Sequence, residues 1–374
     1  MTIVDRGTVF AGRRDTDYSS ACFPGVCVLP GGRWLVTFRA APTKACVRPQ
    51  RTLLACSDDQ GAAWAEPFEP WAPPLIEGKP GAFRAGHITS LGGNELLAIL
   101  YWVDVSDPSL PFFNEQTEGL LDSRLFMSLS EDAGASWSEP ELIDTSPYTC
   151  PTPITGPAMV LDSGEWALQF ETNKSYYDTS VWRHESVVMF SADGGRSWPR
   201  YTCAATDPSA RVFYWDQRPT VLPDGRIMDV FWTFDRETAQ YLNIHARMSA
   251  DGGRTWGAIW DTGVPGQPAA PIGLSDGRLL LVYVDRTAAP VIKARISADD
   301  GRTWPDESES VIHGSDAAEN LDRESMQDAW AEMSEFSIGL PATALLPNDE
   351  VLVVYYAGPM TDLTDIQWAR LRVG

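Results

Sequence analysis

Short runs of apolar or alternating apolar and polar residues recur along the whole chain. Residues 187–190 read Val-Val-Met-Phe, and residues 291–296 read Val-Ile-Lys-Ala-Arg-Ile. An alternating run places successive side chains on opposite faces of a β-strand, and short runs bounded by turn residues are typical of strands. The chain is therefore predicted to be all-β.

An eight-residue motif, Ser-x-Asp-x-Gly-x-x-Trp, follows five of these runs. In each copy the Asp carboxylate is placed to accept backbone N–H groups, and the Gly tolerates the positive φ of a tight turn. The Trp then returns the chain to the core. The motif therefore predicts a β-hairpin turn, and the five copies begin at Ser57, Ser130, Ser191, Ser249 and Ser297.

A second hairpin signature consists of a short strand, a turn rich in Gly, Pro or Asp, and an apolar strand. It occurs at residues 28–36, 90–97, 160–167, 221–232, 272–283 and 345–352. One such hairpin followed by one motif-bearing hairpin makes four antiparallel strands, which is the blade of a β-propeller. Six first hairpins therefore predict a six-bladed propeller with four-stranded antiparallel blades.

A closed ring of blades predicts one domain over residues 1–374, although the length alone allows several. Closure by the N-terminal strand at residues 7–12 would remove two exposed sheet edges. The acidic segment at about 311–334 is interpreted as a helical insertion, with a capping-box start at residues 315–319. The blades are expected at about residues 18–70, 83–145, 153–202, 214–262, 268–310 and 335–374.

Composition and charge narrow the classes of partner. A formal net charge of −22 repels nucleic acid and anionic membranes, so neither is expected to bind. No apolar stretch is long enough to span a bilayer, and the N-terminus lacks the pattern of a secretory signal. With six Cys but no Cys-x-x-Cys pair, we expect free thiols, a cytoplasmic protein, no metal and no cofactor.

Candidate chemistry comes from residues that enter the first strand or leave the second strand of each blade, because these positions meet at one face of a propeller. Five second strands end in an ionisable residue in matching register. A strand that simply reaches solvent also ends in a polar or charged residue, so this pattern has an alternative explanation without function. The candidates for substrate binding are Arg39, Arg84, His87, Trp102, Asp104, Arg218 and Asp285.

Carboxylates with Arg and Trp among them suit a sugar, because aromatic faces stack on the sugar ring and charged groups bind its hydroxyls. Hydrolysis of a glycoside usually requires two carboxyl groups. Asp216 is the first candidate, because the flanking Trp215 and Arg218 would shift its pKa in opposite senses. A plain ion pair between Asp216 and Arg218 explains the same residues. Glu171 is the second candidate, and its alternative is a solvated loop residue. The replacement candidates for either role are Glu335 and Asp235.

The five motifs and the six-blade layout resemble the sialidase (neuraminidase) superfamily, whose repeat is known as the Asp-box or BNR repeat. Asp216 stands six residues before Leu222, where the resemblance implies the Glu that activates a tyrosine nucleophile. Other family residues are absent: the Arg-Ile-Pro position reads Cys-Phe-Pro at residues 22–24, a second Arg falls on Trp232, and the nucleophilic Tyr falls near Leu340. The resemblance thus implies a divergent member that lacks the sialidase arginine and tyrosine motifs.

The functional prediction is an exo-acting glycoside hydrolase that removes a terminal sugar by carboxylate acid/base chemistry. An acidic sugar remains a possible substrate, because Arg39, Arg84 and Arg218 could together bind its carboxylate. One alternative is a polysaccharide lyase on the same scaffold, with His87 or Tyr18 as base and Arg neutralising a uronate. Another is a propeller that binds sugar or protein without catalysis. The sequence alone does not define the sugar, the linkage or the oligomeric state.

Overall fold

A computed structural model describes residues 1–314 and 323–374, and the regular secondary structure in this part of the chain is almost entirely β-strand. Its helices are a single 3-10 turn at Asp306–Ser308 and α1 at Met326–Glu335. The all-β class predicted from the sequence is confirmed. The helix start predicted at residues 315–319 lies outside the described residues.

The strands are numbered in chain order. The first ten are β1 (Thr2–Phe10), β2 (Ser20–Val28), β3 (Trp34–Ala41), β4 (Arg51–Ser57), β5 (Gly81–Gly92), β6 (Glu95–Asp104), β7 (Phe113–Asn114), β8 (Gly119–Leu120), β9 (Ser123–Ser130) and β10 (Glu141–Leu142). The next ten are β11 (Met159–Val160), β12 (Trp166–Glu171), β13 (Lys174–Ser175), β14 (Glu185–Ser191), β15 (Arg200–Thr206), β16 (Val212–Trp215), β17 (Thr220–Val221), β18 (Ile227–Asp235), β19 (Gln240–Tyr241) and β20 (His245–Ser249). The last nine are β21 (Trp260–Asp261), β22 (Gln267–Pro268), β23 (Ile272–Gly273), β24 (Leu279–Asp285), β25 (Val291–Ser297), β26 (Ser310–Gly314), β27 (Ile338–Leu345), β28 (Glu350–Met360) and β29 (Leu363–Arg372).

Antiparallel pairing collects most strands into sequential groups, which we call strand groups. The first is β2–β4, the second β5, β6, β9 and β10, and the third β11, β12, β14 and β15. The fourth is β16–β21, the fifth β22–β26, and the last β27–β29 with β1. The first and last groups share one sheet because Ser20 pairs with Thr364. β7, β8 and β13 form a separate small sheet.

Neighbouring strand groups lie against each other in chain order. β2 lies close to β5, β5 to β11, β15 to β16, β18 to β22, and β24 to β27. β27 in turn lies close to β2, so the last group contacts the first. Hydrophobic clusters fill the spaces between groups; one of them joins Trp34 of the first group to Trp368 of the last. Burial of these apolar faces is the main stabilising contribution to the fold.

The five Ser-x-Asp-x-Gly-x-x-Trp turns share one hydrogen-bond arrangement. In the fourth copy, Ser249 Oγ donates to Asp251 Oδ1 at 2.9 Å and accepts from the backbone N–H of Gly253 at 2.8 Å. Asp251 Oδ1 also accepts from Thr255 N at 2.8 Å. The same contacts recur in the other four copies. Ser and Asp of the motif therefore satisfy the backbone of the turn.

Removing the hydroxyl of one such turn is expected to destabilise the fold. Ser249→Ala would leave the buried N–H of Gly253 without its acceptor, which costs about 1–3 kcal/mol. Urea denaturation of this variant should show the loss, whereas Ser175→Ala at an exposed position should leave the midpoint unchanged. Equal midpoints for the two variants would contradict the role assigned to the turn.

α1 differs from the predicted helical insertion in its bounds. Residues 311–314 belong to β26, and the helix starts at Met326. The Ser325 side chain caps the N-terminus of α1 by accepting a hydrogen bond from Asp328 N at 3.1 Å. The helix therefore begins at a Ser that stands three residues before an acidic residue, which is the sequence pattern of a capping box.

Candidate functional site

A cavity of about 370 Å³ opens where all the strand groups meet. Each group supplies lining residues, among them Phe23, Arg84, Glu171, Asp216, Gln267 and Tyr356. A smaller cavity of about 40 Å³ shares His87 and Arg218 with it and is also lined from every group. Of the residues predicted to form the site, the large cavity brings together Asp216, Glu171, Arg84, His87 and Arg218.

Asp216 follows directly after β16 and has a φ of +49°, a backbone conformation that L-residues rarely adopt. Its Oδ2 accepts a hydrogen bond from Gln267 Nε2, while Gln267 Oε1 accepts from Arg286 Nη1 at 2.8 Å. Both ends of the Gln267 amide are thus engaged, and its NH₂ group is directed at Asp216.

Burial raises the pKa of Asp216, and the neighbouring charge of Glu171 raises it further. Arg218, the hydrogen bond from Gln267, and Arg286 act in the opposite sense, but burial is the largest cause. Asp216 therefore holds its proton to a higher pH than an exposed aspartic acid, which suits a group that donates a proton during a reaction.

Glu171, the last residue of β12, is buried and faces the same cavity. Its Oε1 accepts from the backbone N–H of Gln217 at 3.0 Å, and its Oε2 lies 3.4 Å from His184 Nε2. The backbone contact ties Glu171 of the third strand group to the residue next to Asp216 in the fourth. The two candidate carboxyl groups are therefore held in one site.

A buried carboxyl group lies behind this pair. Asp229, in the middle of β18, accepts from Gln217 Nε2 at 2.7 Å. Complete burial raises the pKa of Asp229 well above its ordinary value, so Asp229 holds its proton to a higher pH than an exposed aspartic acid does.

Basic side chains share the cavity with these carboxyl groups. The Arg218 guanidinium donates to the Thr155 carbonyl and interacts with the charges of Asp216 and Glu171. Arg84 lies over the ring of Phe112, at 4.3 Å from its centroid, and burial lowers the pKa of Arg84 to about 9. Burial, with Arg218 nearby, lowers the pKa of His87 to about 3, so its imidazole is neutral at physiological pH.

Lys44 and Tyr356 line the cavity with Arg286 close by, and of these three residues Lys44 and Tyr356 were not predicted. Lys44 Nζ donates to Tyr356 Oη at 2.9 Å and to the Phe336 carbonyl at 2.8 Å. Arg286 Nη2 donates to the Ile338 carbonyl at 2.8 Å. Lys44 comes from a loop and Tyr356 from an apolar strand, and neither position stands out in a sequence pattern.

Four predicted binding residues, Asp285 among them, lie outside the cavity lining. Arg39 is fully buried in β3 and donates to Gln50 Oε1 at 2.6 Å and to the Lys44 carbonyl at 3.0 Å. Trp102 is fully buried against Gly81 and donates to the Pro74 carbonyl at 3.0 Å. Asp104 pairs with Lys79 at 3.4 Å.

Asp285 and the two replacement candidates, Asp235 and Glu335, also lie outside the lining. Asp235 forms a close ion pair with Arg211 at 2.7 Å, and Asp285 pairs with Lys293 at 3.0 Å. Glu335 ends α1 with an exposed side chain, while the next residue, Phe336, turns into the cavity. The expectation that Glu335 enters a strand at the cavity is therefore corrected: a helix occupies this position.

Among the described residues, no three His, Cys, Asp or Glu side chains come together as they would to hold a metal ion. Nor does that part of the chain contain a helix of the length and hydrophobicity needed to cross a bilayer. The six cysteines, all within the described residues, are free thiols.

The fold and the cavity define an all-β protein of the sialidase-like class. The chain belongs to the family of BNR repeat-like domains, whose model matches residues 103–316, more than half of the sequence. This match, with the structural similarities below, confirms membership of the sialidase-like superfamily. A search of curated proteins finds no match.

Solved structures show the same fold at low sequence identity. A protein of unknown function from Dyadobacter fermentans is 21% identical, with a TM-score of 0.74 and full coverage of both chains. The Hadza microbial sialidase Hz136 is 15% identical, with a TM-score of 0.66 over 95% of this chain and 66% of that one. An intramolecular trans-sialidase from Ruminococcus gnavus, solved with oseltamivir carboxylate, is 13% identical, with a TM-score of 0.65 over 98% of this chain and 97% of that one.

Proposed function

We propose that this protein is a glycoside hydrolase that removes a terminal sugar, with Asp216 and Glu171 as its two working carboxyl groups. The observation that carries the proposal is that both side chains line one cavity and are tied together through residue 217. Family membership supports a carbohydrate-active scaffold, because the sialidases among the similar structures act on sugars.

The proposed architecture is a six-bladed propeller, with each strand group as one blade. Three observations support it: the groups contact one another in chain order, the last group contacts the first, and both cavities are lined from every group. The antiparallel pairing of β1 with β29, through Gly7 and Trp368 among others, would complete the last blade.

In the proposed reaction Asp216 acts as general acid. Its raised pKa favours the protonated form, which gives the proton to the glycosidic oxygen as the bond to the anomeric carbon breaks. The Glu171 carboxylate either attacks the anomeric carbon or takes a proton from the attacking water. Arg84 and Arg218 would hold hydroxyl groups or a carboxylate of the sugar.

The proposal is tested by offering the wild-type protein a panel of 4-nitrophenyl glycosides and following nitrophenol release. The panel includes galactosides, fucosides, glucuronides and sialosides in both anomeric forms. The double variant with Asp216→Asn and Glu171→Gln serves as the matched control, and we expect it to be inactive. Equal release by the two proteins, or no release by the wild-type protein, would remove both residues from the proposed role.

A uronic-acid polysaccharide added to the same experiment distinguishes the lyase alternative. Hydrolysis produces a reducing end without new ultraviolet absorbance, whereas elimination leaves an unsaturated sugar that absorbs in the ultraviolet. Appearance of that absorbance would overturn the hydrolase proposal. It would instead assign proton abstraction to a base at this cavity, where His87 is held in its neutral form.

A further inference from the structure

The large cavity has one continuous apolar wall. The ring of Trp330 from α1 stacks on Phe113, with centroids 4.6 Å apart and an interplanar angle of 8°. Both belong to a hydrophobic cluster that also includes Trp215, Met333 and Phe336. All five line the cavity, so the cluster presents a surface to it as well as packing the fold.

Asp216, Glu171 and Arg218 lie together on a polar wall of the same cavity. Asp216 and Gln267 are hydrogen-bonded, Glu171 accepts from the backbone of residue 217, and Arg218 donates to the Thr155 carbonyl. The polar and apolar residues meet at three places: Arg84 lies over Phe112, Trp215 precedes Asp216, and Lys44 Nζ lies 5.3 Å from the centroid of the Phe336 ring. The cavity is therefore divided between one polar and one apolar side.

Such a division selects an amphipathic ligand. A sugar that filled the whole cavity would place hydroxyl groups against Phe113, Trp330 and Met333, where the loss of hydration is not compensated by hydrogen bonds. An apolar ring at the same place gains from burial and from contacts with aromatic side chains. The volume of about 370 Å³ lies near the lower end of the range of small-molecule pockets, which starts at about 300 Å³ and suits a compact ligand such as a sugar carrying one further ring.

We infer that the ligand is a glycoside with an aromatic aglycone, whose sugar lies on the polar wall and whose aromatic ring lies on the apolar wall. This inference rests on the proposed function, because it takes the sugar site from there. It adds the chemical class of the leaving group, which neither the fold nor the catalytic carboxyl groups specify.

Phenyl and methyl 1-thioglycosides of the same sugars test the inference, because their C–S bond resists hydrolysis and binding to the wild-type protein can be measured by calorimetry. Thioglycosides of galactose, fucose and glucuronic acid are used, with 4-nitrophenol as a sugar-free probe. For the sugar that binds, we expect the phenyl compound to bind at least tenfold more tightly than the methyl compound.

Two methionine variants provide the matched comparison. Met333→Asn makes the apolar wall polar and should reduce the preference for the phenyl compound to less than threefold. Met360→Asn changes an exposed side chain that does not line the cavity and should leave the preference intact. Retention of the full preference in Met333→Asn would overturn the assignment of this wall to the aglycone.

The remaining outcomes separate this inference from the proposed function. Equal affinity of phenyl and methyl thioglycosides for the wild-type protein would overturn the inference and leave the glycosidase proposal standing. If 4-nitrophenol binds but no thioglycoside binds more tightly than it does, the result contradicts the proposed sugar site. It supports the assignment of the apolar wall to an aromatic ring. If neither 4-nitrophenol nor any phenyl thioglycoside binds, the result contradicts both the proposed sugar site and the inference of an aromatic aglycone.

Discussion

Asp216→Asn is expected to lower kcat for aryl glycoside hydrolysis at least about a hundredfold, the typical contribution of a positioned general acid. Asparagine keeps the shape of the side chain and still accepts the hydrogen bond from Gln267, but it has no proton to transfer to the leaving oxygen. Release of nitrophenol under saturating substrate measures the loss. A urea denaturation curve close to that of the wild type would show that folding is preserved.

The pH dependence gives an independent check of the same role. The active form of Asp216 is protonated, and burial raises its pKa, so activity should fall as the pH rises through that raised pKa. Gln267→Leu removes a hydrogen bond that favours the charged carboxylate, and the pKa should rise further. The alkaline limb of kcat/KM is therefore expected to move to higher pH in this variant.

Two results would exclude Asp216 as the acid. One is turnover by Asp216→Asn within a factor of about three of the wild type, far below the contribution expected of a general acid. The other is a shift of the alkaline limb to lower pH in Gln267→Leu, which is opposite to the effect of removing a hydrogen-bond donor. Exposed Gln116, replaced by Leu, serves as a control that should leave the profile unchanged.

The repeated turns made the all-β class readable from the sequence, because each turn specifies its structure locally. Ser, Asp and Gly of one motif satisfy one another's hydrogen bonds without help from distant residues. Family membership followed from the same repetition and is shown by the match to BNR repeat-like domains.

The site was harder to predict, because strand ends in equivalent register have different partners. Asp285 and Glu171 both end the second strand of a hairpin, yet Asp285 pairs with Lys293. Lys293 lies two residues beyond Val291, the cross-strand partner of Asp285, so the ion pair is a diagonal contact that the hairpin register itself predicts. Checking such diagonals for opposite charges would have removed Asp285 from the candidates.

Other cavity residues depend on contacts between distant parts of the chain. Lys44 reaches Tyr356, which is 312 positions away, and Trp330 of α1 stacks on Phe113. Neither contact follows from a local period or turn signal, because loops and the single α-helix of the described residues bring these side chains in from outside the strand pattern. The polar half of the cavity was therefore partly predictable, whereas its apolar wall was not.

Gly266→Ala is expected to cause a large loss of stability beside the site. Gly266 has a φ of +108°, and a Cβ there would lie 2.3 Å from the carbonyl oxygen of Val284, a backbone atom of a central strand. A positive φ alone costs an L-residue about 1–2 kcal/mol, and the backbone clash adds to it. The free energy of unfolding in urea should therefore fall by at least about 3 kcal/mol, in the upper part of the range for point substitutions.

Gly263→Ala separates the two causes, because Gly263 lies in the same loop with a φ of +72° but has open space where a Cβ would be. It should lose only the conformational contribution of about 1–2 kcal/mol. Equal losses in the two variants would show that the close approach to Val284 is relieved without cost. Because Gln267 follows Gly266 directly, a backbone displaced by the clash would also withdraw the amide from Asp216. Gly266→Ala should then move the alkaline limb of activity in the same direction as Gln267→Leu, while Gly263→Ala should not.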